Sequence, residues 1–106
     1  MHKKYKRMLQ GMQDKKAFRN KGTKKGQWFL YILECSNGAF YTGITKNITR
    51  RIKMHNEGKG SRYTRIWRPV KLLYKETCMG RAEALVREYK IKSFSRKQKE
   101  ALINNF

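Results

Sequence analysis

A chain of 106 residues with 27 Lys and Arg against 7 acidic residues has room for one small domain, and its formal charge of +20 implies a polyanionic partner. The longest apolar run, "WFLYIL", is too short to span a bilayer, and no basic helix with a broad apolar face or secretory-type start is evident, so no membrane partner is expected. What remains is a cytoplasmic nucleic-acid binder, in which Cys35 and Cys78, widely spaced and without His or Cys nearby, are free thiols rather than zinc ligands.

Residues 1–27 carry ten Lys or Arg and one Asp, with few large apolar side chains and no sustained period. That is the composition of a disordered basic arm. Residues 28–106 carry the remaining 17 basic and 6 acidic residues, hence +11, and form the folded domain. "WFLYILEC" and "AFYTGIT" are β-rich runs on either side of Ser36-Asn37-Gly38, which reads as a hairpin turn. The turn decides a functional matter. A two-residue Asn37-Gly38 turn pairs positions summing to 75 and puts Tyr31 and Tyr41 on opposite faces. A three-residue loop with Gly38 left-handed gives 74, Tyr41 opposite Leu33, and both phenols on one face. Sequence permits either.

"NITRRIKMHNEG" reads as a helix capped by Asn47 and ended by Gly58, with Ile48, Ile52 and His55 along one stripe. "GKGSRYTRIWRP" is expected to be a basic loop, and "VKLLYKET", Val70 to Thr77, a third strand. A second helix from about Gly80 has Ala82, Leu85 and Tyr89 as its expected apolar side, and Ser95 with Gln98 forms a capping box before a last short helix. The order is β-β-α-β-α-α, an α+β domain with a small three-stranded antiparallel sheet flanked by helices.

Three polar residues on these helices stand out. Arg51 and His55 are four apart and flank the apolar stripe, whereas Arg50 lies about 100° round the helix and reads as surface. Glu88 has Ala84, Leu85, Ile91 and Lys92 as its helical neighbours, so its carboxylate sits beside apolar surface. Glu83 and Arg87 have the spacing of a surface pair.

"LYI" at Leu30–Ile32, "YTG" at Tyr41–Gly43, "R-x-x-x-H" at Arg51–His55, and a helical "ALVREYKIK" holding Glu88 together resemble the GIY-YIG nuclease family. "HNEGKG" and "RPVKL" resemble its small stand-alone bacterial members. Phe29-Leu30 stand where the name motif has Gly-Ile, so Tyr31 alone represents that half. The resemblance implies single-metal phosphodiester hydrolysis by Tyr31, Tyr41, Arg51, His55 and Glu88. Glu88 would hold Mg²⁺ or Mn²⁺, and Arg51 would offset phosphate charge. Tyr31 would be the base with its pKa lowered by positive charge, Tyr41 its hydrogen-bonding partner, and His55 would orient the water or phosphate or share the proton. Lys46, Lys59, Arg62 and Arg65 are expected on the nucleic-acid backbone, and Tyr63 or Trp67 stacked on an unpaired base. The expected substrate is damaged, branched or single-stranded DNA, with RNA also compatible. The alternative is a nucleic-acid-binding module without catalysis.

Overall fold

The structure is a computed structural model that describes residues 26–105. The basic arm expected over residues 1–27 therefore lies almost wholly outside the described residues. Strand β1 (Trp28–Glu34) is central, with β2 (Phe40–Thr45) and β3 (Lys71–Cys78) antiparallel on its two sides, giving the order β2-β1-β3. Helix α1 (Ile48–Asn56) and the one-turn helix α2 (Arg62–Ile66) join β2 to β3, and α3 (Arg81–Lys92) and α4 (Arg96–Asn104) follow. The element order is the expected one, with α2 as an addition inside the anticipated loop. Its cause is local: Ser61 and Thr64 form a reciprocal capping box that the basic composition of the segment hides.

The hairpin adopts the three-residue turn. Tyr31 pairs with Gly43 and Leu33 with Tyr41, the Cys35 N–H bonds to Ala39 O at 2.9 Å, and Gly38 takes φ of 86°. A left-handed residue costs a side chain about 1–2 kcal/mol and glycine almost nothing, so Gly38 accommodates the odd-length loop. Both phenols thereby emerge on the same face of the sheet.

Alternation along β1 feeds two cores. Leu30 and Ile32 pack with Tyr74, Cys78, Ala84 and Ile91, against which Phe94, Leu102 and Ile103 close. Tyr31, Leu33 and Cys35 pack with Val70 and the α1 residues Ile48 and Ile52. A strand covered on both faces is apolar at successive positions, which explains the unbroken "FLYIL". The apolar side expected for α3 is rotated from the real one. Ala84 and Ile91 are fully buried, while Leu85 and Tyr89 are exposed, Tyr89 by 79%. Ile91 alone buries a side chain worth about 1.5–3 kcal/mol, and the real stripe of 84, 88 and 91 puts Glu88 on the inward side. Arg87 pairs with Glu76 at 2.5 Å, and Glu83 accepts the Met79 N–H, holding the start of α3 to the end of β3.

The ends of α1 are fixed by two asparagines. Asn47 Oδ1 accepts the Arg50 N–H at 3.0 Å, and Asn56 grips Val70 in both directions, accepting its N–H at 2.7 Å and donating to its carbonyl at 3.2 Å. Ser95 and Gln98 form the expected capping box on α4.

Candidate active site

Tyr31 and His55 meet in the interior. The phenol oxygen and His55 Nε2 are 3.0 Å apart, the two residues are 1% and 0% exposed, and their rings pack edge to face. The register makes this contact possible. Tyr31 lies across Gly43, its partner on β2, and α1 brings His55 over the same face. Tyr41, two residues from Gly43 and half-buried, completes an aromatic cluster, its ring centre 6.5 Å from that of Tyr31 and 5.2 Å from that of His55.

Arg51 is on the same face of α1 as His55, one turn earlier. It favours the Tyr31 phenolate through a side-chain hydrogen bond and its charge, and it disfavours a proton on His55. Its Nε is buried with no hydrogen-bond partner. Arg50, next to it, is exposed as expected. Glu88 acts on the cluster from α3 through its charge. Its side chain is mostly buried, its charge acts on the Tyr31 phenol, and Oε2 is 3.1 Å from Lys92 Nζ one turn on. The structure thus brings Tyr31, Tyr41, Arg51 and His55 together, with the Glu88 charge acting on Tyr31 from α3.

Two expectations about these residues change. Burial is the largest influence on Tyr31 and raises its pKa above the ordinary phenol value, outweighing Arg51, with Tyr41 and Glu88 adding in the same direction. The phenol is therefore not lowered by the protein's own charges. His55 is fully buried, and its two ring nitrogens face Tyr31 and Thr64 rather than an open pocket. Burial, then Arg51, pushes its pKa down to about 4, leaving a neutral imidazole whose Nε2 partner is Tyr31. The hydroxyl that Tyr31 was expected to share with Tyr41 is thus shared with His55.

Sequence reasoning missed Thr64. It is fully buried in α2, and its Oγ1 is 2.7 Å from His55 Nδ1. The available signal was the Ser-x-x-Thr spacing of a helix cap.

The basic residues fall into two groups. Lys59, Arg62 and Arg65 line a shallow depression of about 340 Å³ with Gly58, Gly60 and Ser61, where Lys59 also lies 3.9 Å from Glu57. Tyr63, 40% exposed, accepts a hydrogen bond from Asn37 Nδ2 at 2.9 Å, which pins α2 to the hairpin turn. Ser36 N–H to Trp67 O, 2.9 Å, is a second tie, and Trp67 is similarly exposed. Lys46 is at the opposite end of the hairpin, its ammonium 5.9 Å from the centre of the Trp28 ring, with Arg81 on the same ring. Trp28 packs with the Leu30 and Ile32 core rather than the Tyr31 core, so Lys46 is well separated from the α2 group.

Among the described residues, no helix is long and apolar enough to cross a membrane. Comparison with known proteins agrees with the geometry. A model of the GIY-YIG catalytic domain matches residues 27–101. A UPF0213 protein of Desulfotalea psychrophila is 54% identical over 82 residues, covering 76% of this chain and 74% of its own. One from Staphylococcus epidermidis is 49% identical over 75 residues, covering 71% and 92%. An E. faecalis protein solved by solution NMR shares 38% identity and superposes with a TM-score of 0.53 over 76% of this chain and 85% of that one. With the family model spanning nearly all of the folded part, and with close relatives among small bacterial UPF0213 proteins, the chain belongs to the GIY-YIG family.

Proposed function

We propose that this protein is a divalent-metal-dependent endonuclease that hydrolyses phosphodiester bonds in DNA, with damaged, branched or single-stranded DNA as substrate, acting in the cytoplasm. The observation that carries the reading is that an imidazole and a guanidinium from α1 meet the Tyr31 phenol, while the charge of a carboxylate on α3 also acts on it. A purely structural tyrosine needs one partner, whereas a reacting group whose charge changes needs several poised around it.

Glu88 is the residue that would hold a divalent cation. No group of three or more His, Cys, Asp or Glu gathers among the described residues, so it would do so alone, with phosphate oxygens and water completing the shell. A single carboxylate fits Mg²⁺ or Mn²⁺, which bind through one or two carboxylates plus substrate oxygens. When bound, the cation neutralises charge on the leaving oxygen and favours the Tyr31 phenolate.

The chain's own groups divide the remaining work. Tyr31 accepts the proton of the attacking water, which enters beside Tyr41, the more open of the two phenols. Arg51 offers the phosphate its unpartnered Nε–H, a donor that is otherwise costly to bury. Lys59, Arg62 and Arg65 by α2, and Lys46 beyond the end of β2, contact the nucleic-acid backbone, with Tyr63 or Trp67 stacking on an unpaired base.

The test incubates labelled single-stranded, duplex and forked DNA, and the same strands as RNA, with wild-type protein and Glu88→Ala in Mg²⁺ or EDTA. Metal-dependent cutting abolished by the substitution is expected. Salt-sensitive binding without cutting by folded wild-type protein would leave a nucleic-acid-binding module instead.

A further inference from the structure

The imidazole of His55 has two nitrogens, and only one faces Tyr31. The other, Nδ1, is 2.7 Å from Thr64 Oγ1. Gly60 leaves the ring its room, since a Cβ at that position would run into Nδ1. The surroundings of the Thr64 hydroxyl determine which way that bond points. Its oxygen lies 3.2 Å from the Ser61 N–H, which donates to it, and 3.0 Å from Ser61 Oγ. Ser61 Oγ already accepts the Thr64 N–H at 3.1 Å, so its own proton is available for Thr64. With the two lone pairs of Thr64 Oγ1 met by these two donors, its one hydroxyl proton has two acceptors in reach, the Ser61 carbonyl at 3.3 Å and Nδ1 at 2.7 Å, and the much shorter contact is the one to Nδ1.

The lengths agree. Hydroxyl donors typically make bonds of about 2.7–2.8 Å and N–H donors about 2.9–3.0 Å. The 2.7 Å bond to Thr64 matches the first class, and the 3.0 Å bond between His55 Nε2 and the Tyr31 oxygen matches the second.

We propose that Thr64 donates its hydroxyl proton to His55 Nδ1 and so holds the imidazole as the Nε2–H tautomer, with that N–H donated to the Tyr31 phenol oxygen. Thr64 is then a positioning residue. A fixed N–H donor aimed at the phenol oxygen stabilises the phenolate more than the phenol, offsetting the burial that raises the Tyr31 pKa. The imidazole is not the group that takes the proton from Tyr31. The cap of a one-turn helix thereby acts on the reactive oxygen through two hydrogen bonds, in the way that outer groups orient metal-bound histidines.

The tautomer stands on the hydrogen-bond geometry alone, while its catalytic consequence rests on the nuclease reading above. Long-range proton–nitrogen NMR of the full chain, labelled with ¹⁵N, reads it directly, because the sequence contains only two histidines. At neutral pH the His55 proton is expected on Nε2, with Nδ1 shifted away from the frequency of a bare acceptor nitrogen. Thr64→Val is expected to move Nδ1 to that bare frequency, and Thr64→Ser to restore it. A proton on Nδ1 in the wild type, or an Nδ1 signal unmoved in folded Thr64→Val, overturns the proposal. Should Thr64→Val fail to fold, the wild-type spectrum decides by which nitrogen carries the proton. In the cleavage assay, Thr64→Val is expected to lower kcat about tenfold at unchanged KM, with Ser rescuing it. No cleavage by any variant sinks the nuclease reading and leaves the tautomer result standing.

Discussion

Gly43 lies directly opposite Tyr31 across the β1–β2 ladder, and a Cβ built on it would come within 2.5 Å of the phenol oxygen. The tyrosine lies across its cross-strand neighbour because that neighbour has no side chain. Gly43→Ala should therefore push the phenol off its bond to His55, at about 1–3 kcal/mol of stability for an overpacked site. Cleavage should fall more than stability explains. Urea unfolding together with an activity assay at a temperature where the variant is folded checks this. An alanine variant of full activity would mean that the phenol position does not matter.

Removing the Tyr31 hydroxyl separates its two roles. Tyr31→Phe leaves His55 Nε2 buried without a partner, at a cost of about 1–3 kcal/mol, and is expected to lower cleavage by a factor of about 10² or more. Tyr41→Phe should be milder in stability, since Tyr41 is half-buried and packs mainly through its ring. Equal activity losses in both would place the essential hydroxyl elsewhere.

The neutral, buried His55 gives stability a pH dependence. Its folded pKa is lowered to about 4 from the usual 6.5, so between those values the unfolded chain binds the proton and the folded chain does not. Stability is complete above about pH 6.5 and declines as pH falls toward 4, by roughly 3 kcal/mol at most. Chemical denaturation at pH 7, 5.5 and 4.5 should show the decline, and His55→Gln should flatten it. A curve that rises as pH falls through this window would contradict a neutral His55.

Lys92 competes for the carboxylate that would receive the metal, its ammonium lying 3.1 Å from Glu88 Oε2. The pair is partly exposed and worth at most about 1 kcal/mol, so Lys92→Met should lower the half-saturating Mg²⁺ concentration for cleavage by about two- to fivefold. An unchanged or higher Mg²⁺ requirement would put the metal away from Glu88.

The basic depression on α2 should show in salt dependence. Replacing Lys59, Arg62 and Arg65 together by Ala is expected to reduce the slope of log K against log salt by about 2–3 for single-stranded or duplex DNA. Fluorescence anisotropy over a salt series measures this. An unaltered slope would send the backbone along another path.

Local chemistry was legible in the chain. Asn47 and Ser95 announce their helices because a cap is a bond between residues three apart, and the apolar run of β1 announces a strand covered on both faces. The candidate residues Tyr31, Tyr41, Arg51, His55 and Glu88 could be named by resemblance, and the parity of the hairpin could be posed as a choice between two turns. Only the folded structure selected the three-residue loop, because Asn37-Gly38 suits both turns and the packing of both faces of β1 decides between them. It alone rotated the apolar side of α3 to Ala84 and Ile91, replaced Tyr41 by His55 as the partner of the Tyr31 hydroxyl, and brought Thr64 to the far side of that ring. The reason is one of range. Caps and periodicity depend on neighbours a few residues away, whereas a buried hydroxyl finds its partner among side chains 9 and 24 positions apart, and only the packed interior sets those distances.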